Sequence, residues 1–235
     1  AQALEGMHSI EDLAAVLNQP KSEERAFKVN SKGATLTAYN ENDKLTNVQF
    51  NLDGTLTAYG ANPITIDNSS SHNIINITKN GKVEVEDAAT LNYSGNIAAR
   101  DEGSSASAAI VVEDTGTLGL SHGAMTMLKP ETQTYGVPAN RVGIQLTGAG
   151  KVNFDNYIVN ADIAGTLNNN ALQGTLNAEG DSKINGTVTD IANIKVTKEG
   201  MLTFGADSII EISGSALGKT EINLADGNMG VEIGE

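Results

Sequence analysis

Ile194-Lys195-Val196-Thr197-Lys198-Glu199-Gly200-Met201-Leu202-Thr203-Phe204 alternates apolar and polar residues on both sides of a polar bend that ends in glycine. The same grammar recurs along the chain. Phe27-x-Val29 leads to Gly33 and Leu36, Val48-x-Phe50 to Gly54 and Leu56, and Ile75-x-Ile77 to Gly81, Val83 and Val85. Ile110-x-Val112 leads to Gly116, Leu118 and Leu120, and Ile144-x-Leu146 to Gly150, Val152 and Phe154. In every copy the glycine stands four residues after the second apolar position. Alternation over four or five positions marks a strand with one buried face. The polar stretch favours a turn, and glycine there admits a positive φ. Each unit therefore reads as strand, tight corner, strand, and a unit used repeatedly points to a repeat architecture. Shorter relatives follow at Gly165-Thr166-Leu167, Gly174-Thr175-Leu176 and Gly186-Thr187-Val188.

Composition agrees with a narrow core. The chain has 235 residues, of which 39% are apolar and only 4% aromatic. A rounded core of this size normally uses more large rings, whereas a slender one lined by Val, Ile, Leu and Ala does not. No proline-rich or Gly/Ser-only linker divides the chain, so one elongated domain is expected. The formal net charge is −14, with 29 acidic against 15 basic residues. That balance argues against nucleic acid and anionic lipid as partners, because phosphate binding needs a basic surface. Cysteine is absent. Disulfides and Cys-ligated metals are thereby excluded, and a chain without cysteine suits passage through a pore while unfolded. No apolar run approaches the roughly 18 residues that span a bilayer.

Residues 1–26 read as an N-terminal cap. Ser9 is a good N-cap, and Ile10, Leu13, Ala14 and Leu17 fall on one face, so a short helix is expected from about Ile10 to Leu17. A cap is needed because an open stack of strands exposes an edge. Residues 27–235 read as the stack itself, with about nine or ten coils and, at about 4.8 Å per rung, a rod about 45 Å long. Alternation persists to Glu221-Ile222-Asn223-Leu224 and Val231-Glu232-Ile233, so the stack is expected to continue beyond Glu235. Two segments fit the repeat poorly, Gly95–Ala109 and Ser121–Arg141. Each reads as a projecting loop or as a weakly patterned coil, with Met125, Met127 and Val137 inward in the second case.

No nucleophile set emerges. His8, His72 and His122 lack a Gly-x-Ser-x-Gly elbow, and Ser213-Gly214-Ser215 has no acidic lead-in. Glu84 and Glu86 alternate with Val83 and Val85 and so share an outer strand face, followed by Asp87, Asp101-Glu102 and Glu113-Asp114. They read as a solvated acidic face. The competing reading is a calcium site or an acid–base pair for glycan cleavage, with Glu84 and Glu86 as weak metal candidates. Abundant asparagine, including Asn73, Asn76, Asn153 and Asn185, is expected at corners or in ladders that bond coil to coil. Partner contacts are expected on the Ser121–Arg141 segment, at Met127, Lys129, Tyr135 and Arg141. No catalytic residue and no cofactor is expected.

The units Ile194–Phe204 and Ile144–Phe154, the Gly-Thr-Leu corners, the Asn/Gly/Thr richness, the acidity and the missing cysteines resemble passenger domains of Gram-negative autotransporters. The resemblance covers residues 27–233 and is one of style across a large family. It implies an all-β, right-handed parallel β-helix with three strands per coil, exported through the outer membrane and displayed on the cell surface. The expected function is that of an adhesin, attaching to a host or bacterial protein or glycan or to its own copies. A polysaccharide lyase or hydrolase and a passive spacer are the alternatives. No active-site residue carries over.

Overall fold

The computed structural model describes residues 27–28, 35–38, 44–61, 63–102, 108–129, 141–168, 171–198, 200–212, 221–224 and 229–233. Among these the chain is all β, with no helix. The expected cap helix lies outside the described residues. Strands stack in three long parallel ladders, the arrangement of a solenoid. The first ladder runs β2 (Thr35–Ala38), β5 (Thr55–Ala58), β8 (Lys82–Val85), β11 (Ala108–Val112), β13 (Val142–Leu146), β15 (Ile163–Ala164), β20 (Thr187–Thr189) and β23 (Ile209–Glu211). The second runs β3 (Lys44–Thr46), β6 (Ile64–Asp67), β9 (Thr90–Ser94), the first half of β12 (Thr117–Leu128), the first half of β14 (Lys151–Asn160), β18 (Thr175–Ala178), β21 (Asn193–Val196) and β24 (Glu221–Leu224). The third runs β4 (Phe50–Leu52), β7 (Ile75–Ile77), β10 (Ile97–Arg100), the second halves of β12 and β14, β19 (Ser182–Ile184), β22 (Gly200–Phe204) and β25 (Met229–Ile233). Two antiparallel pairs depart from this scheme. β1 (Phe27–Lys28) pairs with β2, and β16 (Leu167–Asn168) pairs with β17 (Ala171–Leu172).

The register explains the narrow core. Phe50, Ile75, Ile97, Met125, Val159, Ile184 and Phe204 form one inward column, each on the next strand of the third ladder, and all are buried. Leu56, Val83, Ile110, Ile144, Ile163 and Val188 form another on the first ladder. Period-two alternation puts one residue of each pair inside, and the parallel register keeps that choice rung after rung.

The repeated sequence unit marks a corner rather than a coil. Gly54 and Gly81 turn the third ladder into the first, Gly116 and Gly150 turn the first into the second, and Gly200 turns the second into the third. The distance between unit glycines therefore does not measure coil length. Nor is positive φ the general reason for glycine, since Gly81, Gly116 and Gly150 do not adopt it. A Cβ at these positions would strike a backbone carbonyl of the preceding turn, of Leu52, Glu86 and Val112 respectively. Close stacking of backbones excludes the side chain.

Both poorly patterned segments contain regular strand. Ile97–Arg100 and Ala108–Val112 are β10 and β11, and Ser121–Leu128 is the second half of β12. Met125 is an inward core residue. The alternation looked broken because β12 and β14 each bend at one left-handed residue, His122 (φ 51) and Asn156 (φ 50). The inward phase shifts there, from Leu118 and Leu120 to Met125, and from Val152 and Phe154 to Tyr157 and Val159.

Candidate functional site

The described residues break off after Glu102 and again after Lys129, and resume at Ala108 and Arg141. Both breaks lie where the third ladder turns into the first. Arg141 is 4% exposed and stitches this corner together. Its Nη1 donates to the Thr78 carbonyl (3.1 Å), and its Nη2 donates to the carbonyls of Gly81 (2.6 Å) and Ala108 (3.1 Å). Its backbone N–H donates to Asp101 Oδ1 (3.3 Å), while the Asp101 N–H donates to the Leu128 carbonyl (2.8 Å). Burial draws the guanidinium below its ordinary value, and the Glu102 carboxylate opposes this. From a third turn, Arg141 thus holds two others by three of their carbonyls, and its side chain is not free to meet a partner. Of the other residues expected to make contacts, Met127 is partly buried against the core, Lys129 is exposed, and Tyr135 lies outside the described residues. The structure brings Arg100 beside Lys129, with Arg100 Nη1 donating to the Lys129 carbonyl (3.4 Å).

The acidic residues gather on the outer side of the first ladder. Glu84 and Val111 are register partners, so Glu113 lies one outward position further along the next turn. The Glu84 and Glu113 carboxyls share a hydrogen bond, and Lys82 Nζ lies 3.5 Å from Glu84. Like charges this close cannot both ionise freely. Glu113 is pushed up to about 7 by its bond to Glu84, by burial and by the charges of Glu84 and Glu86. Glu84 is lowered, chiefly by the bond that Glu113 gives it. Asp87 and Asp114 are engaged elsewhere: Thr115 Oγ1 donates to Asp87, and the Ala149 N–H donates to Asp114 (2.8 Å). No group of three or more His, Asp or Glu poised to hold a metal ion occurs among the described residues.

A third feature has no counterpart in the sequence reading. On the outer side of the third ladder, a shallow groove of about 560 Å³ is lined by Asn156, Tyr157, Ile158, Asp181, Ser182, Lys183, Met201 and Thr203. Tyr157 and Ser182 form its buried floor. Ile158, Lys183 and Thr203 stand in one outward column, with Asp181 and Met201 in the next. Ile158 is 44% exposed and Met201 39%. The signal that would have found it is the out-of-phase Ile158, but recognising it requires knowing that Asn156 shifts the phase. Comparison with protein-family models, curated proteins and solved structures finds no match to the chain.

Proposed function

We propose that the chain is the display rod of an autotransporter-type adhesin: a right-handed β-helix with three strands per coil and about nine or ten coils, exported to the surface of a Gram-negative cell. It attaches there to a host or bacterial surface protein or glycan, or to its own copies. The observation that carries this reading is the division of labour in the ladders. Inward positions form unbroken apolar columns, so most of the stability comes from inside the stack rather than from what the outward positions carry. Those outward positions are then free for recognition.

The segment at issue is narrower than the sequence alone indicates, because removing Ser121–Arg141 would delete half of β12 and the Arg141 clamp. Replacing only residues 130–140 by a short Gly/Ser link is expected to leave the far-ultraviolet β signal intact and to abolish attachment or clumping of displaying cells. Attachment that survives would remove this segment as the contact. If displaying cells neither attach nor clump even with the segment in place, the rod is a spacer.

The shared proton of Glu84 and Glu113, beside Lys82, favours a second reading, acid–base cleavage of a glycan. Against it, Phe50, Tyr93, Phe154, Tyr157 and Phe204 are all buried, so none is a platform for sugar rings, and Arg141 is committed to carbonyls. Release of reducing or unsaturated sugar ends that disappears in Glu113→Gln would establish the enzyme instead.

A further inference from the structure

Asp181 and Lys183 stand on the outer side of the third ladder, with the buried Ser182 between them. Two residues along a strand is a separation of about 7 Å. Lys82 and Glu84 have the same spacing on the first ladder, and there Lys82 Nζ lies 3.5 Å from the Glu84 carboxylate. Asp181 and Lys183 make no such pair. Asp181 Oδ1 accepts the Met201 N–H (2.8 Å), which holds the carboxylate against the next rung. Lys183 is exposed and makes no ion pair among the described residues, whereas Lys44, Lys82 and Lys198 are each paired with a carboxylate. The groove is therefore neutral as a whole, and its two opposite charges are held apart. The outward side chains around them carry no charge. Ile158 and Thr203 stand one rung to either side of Lys183, and Asn156 and Met201 flank Asp181. Asn160 and Asn185 fill the next column, joined by a bond from Asn185 Nδ2 to Asn160 Oδ1 (2.8 Å).

From this arrangement we infer that two copies of the chain pair side by side through this face, about a two-fold axis parallel to the ladders. Such an axis exchanges the two columns rung for rung, and the same patch serves both copies. Lys183 of each copy then faces Asp181 of the other, giving two reciprocal ion pairs. One rung away, Ile158 lies beside Ile158 of the second copy. One rung in the other direction, Met201 lies beside Met201. The paired charges are thus flanked by apolar contacts on both sides. The pattern selects the occupant. A cation and a carboxylate kept apart on one rung are matched by a surface that carries the same two charges in reverse order, and this face turned about that axis is such a surface. An axis across the ladders would keep every residue in its own column and never bring Lys183 to Asp181. Repulsion between two chains of net charge −14 bears least on a face whose own charges cancel, and salt screens the remainder beyond about 8 Å. Three rungs by three columns span only about 10 Å by about 14 Å. That is small beside a standard interface, so pairing of free chains is weak, and copies held together on one surface gain from their high effective concentration. Copies paired this way point in the same direction, so the contact joins neighbours on one surface. It goes beyond the attachment proposed above and does not depend on it.

The chain has no cysteine, so one introduced thiol reports proximity between copies. The test treats Ile158→Cys with a short bis-maleimide at high concentration of the whole chain. Asn92→Cys, exposed and outward on the second ladder, is the control. Ile158→Cys is expected to give covalent dimer, and Asn92→Cys only the background of random collision. Adding either Lys183→Asp or Asp181→Lys to Ile158→Cys is expected to lower the yield about tenfold, because like charges then face each other. Mixing those two altered chains is expected to restore the yield, since opposite charges meet again, and the recovery verifies that both are folded. Equal dimer from Asn92→Cys, no dimer from Ile158→Cys, or a yield indifferent to the charge changes overturns the inference. So do amide shifts around Lys183 that follow added cellotriose and not chain concentration, because the occupant is then a neutral glycan. Attachment of displaying cells by chains that form no dimer would overturn the pairing alone and leave the adhesin reading in place. Dimers of a chain whose displaying cells attach to nothing would do the reverse.

Discussion

At the scale of single residues, buried polar groups hold the corners. Asn68 is 1% exposed, and its amide does what a strand would do for Val48. Asn68 Oδ1 accepts the Val48 N–H (2.8 Å), and Asn68 Nδ2 donates to the Val48 carbonyl (2.8 Å) and to the Tyr93 hydroxyl (3.2 Å). The Tyr93 hydroxyl donates in turn to the Asn96 carbonyl (2.7 Å), and burial pushes its ionisation up to about 12. Asn68→Ala would leave both Val48 backbone groups buried without partners, at about 1–3 kcal/mol for each unsatisfied group. The expected outcome is a loss of about 2–4 kcal/mol in urea unfolding. A loss within about 0.5 kcal/mol would contradict the assigned bonds, since that is the range of a neutral surface substitution.

The Glu84–Glu113 pair makes a signed pH prediction. Glu113 is raised, so between its ordinary value of 4.5 and about 7 the folded chain holds a proton that the unfolded chain releases. Its contribution is present at low pH and is lost as the pH rises through about 7. Glu84 is lowered, so its contribution is present above its ordinary value of 4.5 and is lost as the pH falls below that. Urea midpoints are expected to decline for the unaltered chain between about pH 5 and about pH 8, and to decline less in Glu113→Gln, which mimics the protonated acid. Parallel curves for the two proteins would mean that the carboxyls do not share a proton.

At the scale of elements, β12 and β14 are the long strands because each crosses a corner without breaking. His122 and Asn156 accept the left-handed conformation that the bend requires. Asparagine and histidine tolerate it better than β-branched residues do. His122→Val is expected to cost about 1–3 kcal/mol and His122→Gly little, as measured by thermal unfolding. An equal cost for both would place the penalty in the imidazole rather than in the backbone. Below this bend, Gly123 faces the core in register with Tyr157, whose hydroxyl donates to the Gly95 carbonyl (2.9 Å). A Cβ at Gly123 would strike that same Gly95 carbonyl, so only glycine lets the two turns approach this closely here. Tyr157 also stacks on Phe154, with ring centroids 6.3 Å apart at 11°. Outer amides link turns more weakly, as in the bonds of Asn76 Nδ2 to Asn51 Oδ1 (3.3 Å) and Asn177 Nδ2 to Asn153 Oδ1 (3.1 Å).

At the scale of the whole molecule, each strand of the three parallel ladders bonds along its ladder only to strands of the neighbouring turns, so cooperativity is handed from rung to rung. Central strands such as β8, β11, β12 and β14 are bonded on both sides. Hydrogen exchange is expected to be slowest there and to quicken along the ladders towards β2 and β23. Uniform protection throughout would show a single cooperative unit instead.

The sequence by itself determined the class of the fold. Alternation such as Ile75-Asn76-Ile77 and Lys82-Val83-Glu84-Val85 follows from the two-residue period of a strand, and the glycine corners follow from where backbones must pass closely. It also placed Glu84, Glu86 and Glu113 outside. Only the tertiary structure decided which corner each glycine serves, that Arg141 is a buried clamp rather than a contact, and that Glu84 meets Glu113. It alone set Ile158, Lys183 and Met201 around one groove. Those facts depend on which turn lies against which. One left-handed residue inside a strand shifts the inward phase, and the number of residues between two strands differs from turn to turn while the register between turns holds, so spacing along the chain does not encode them.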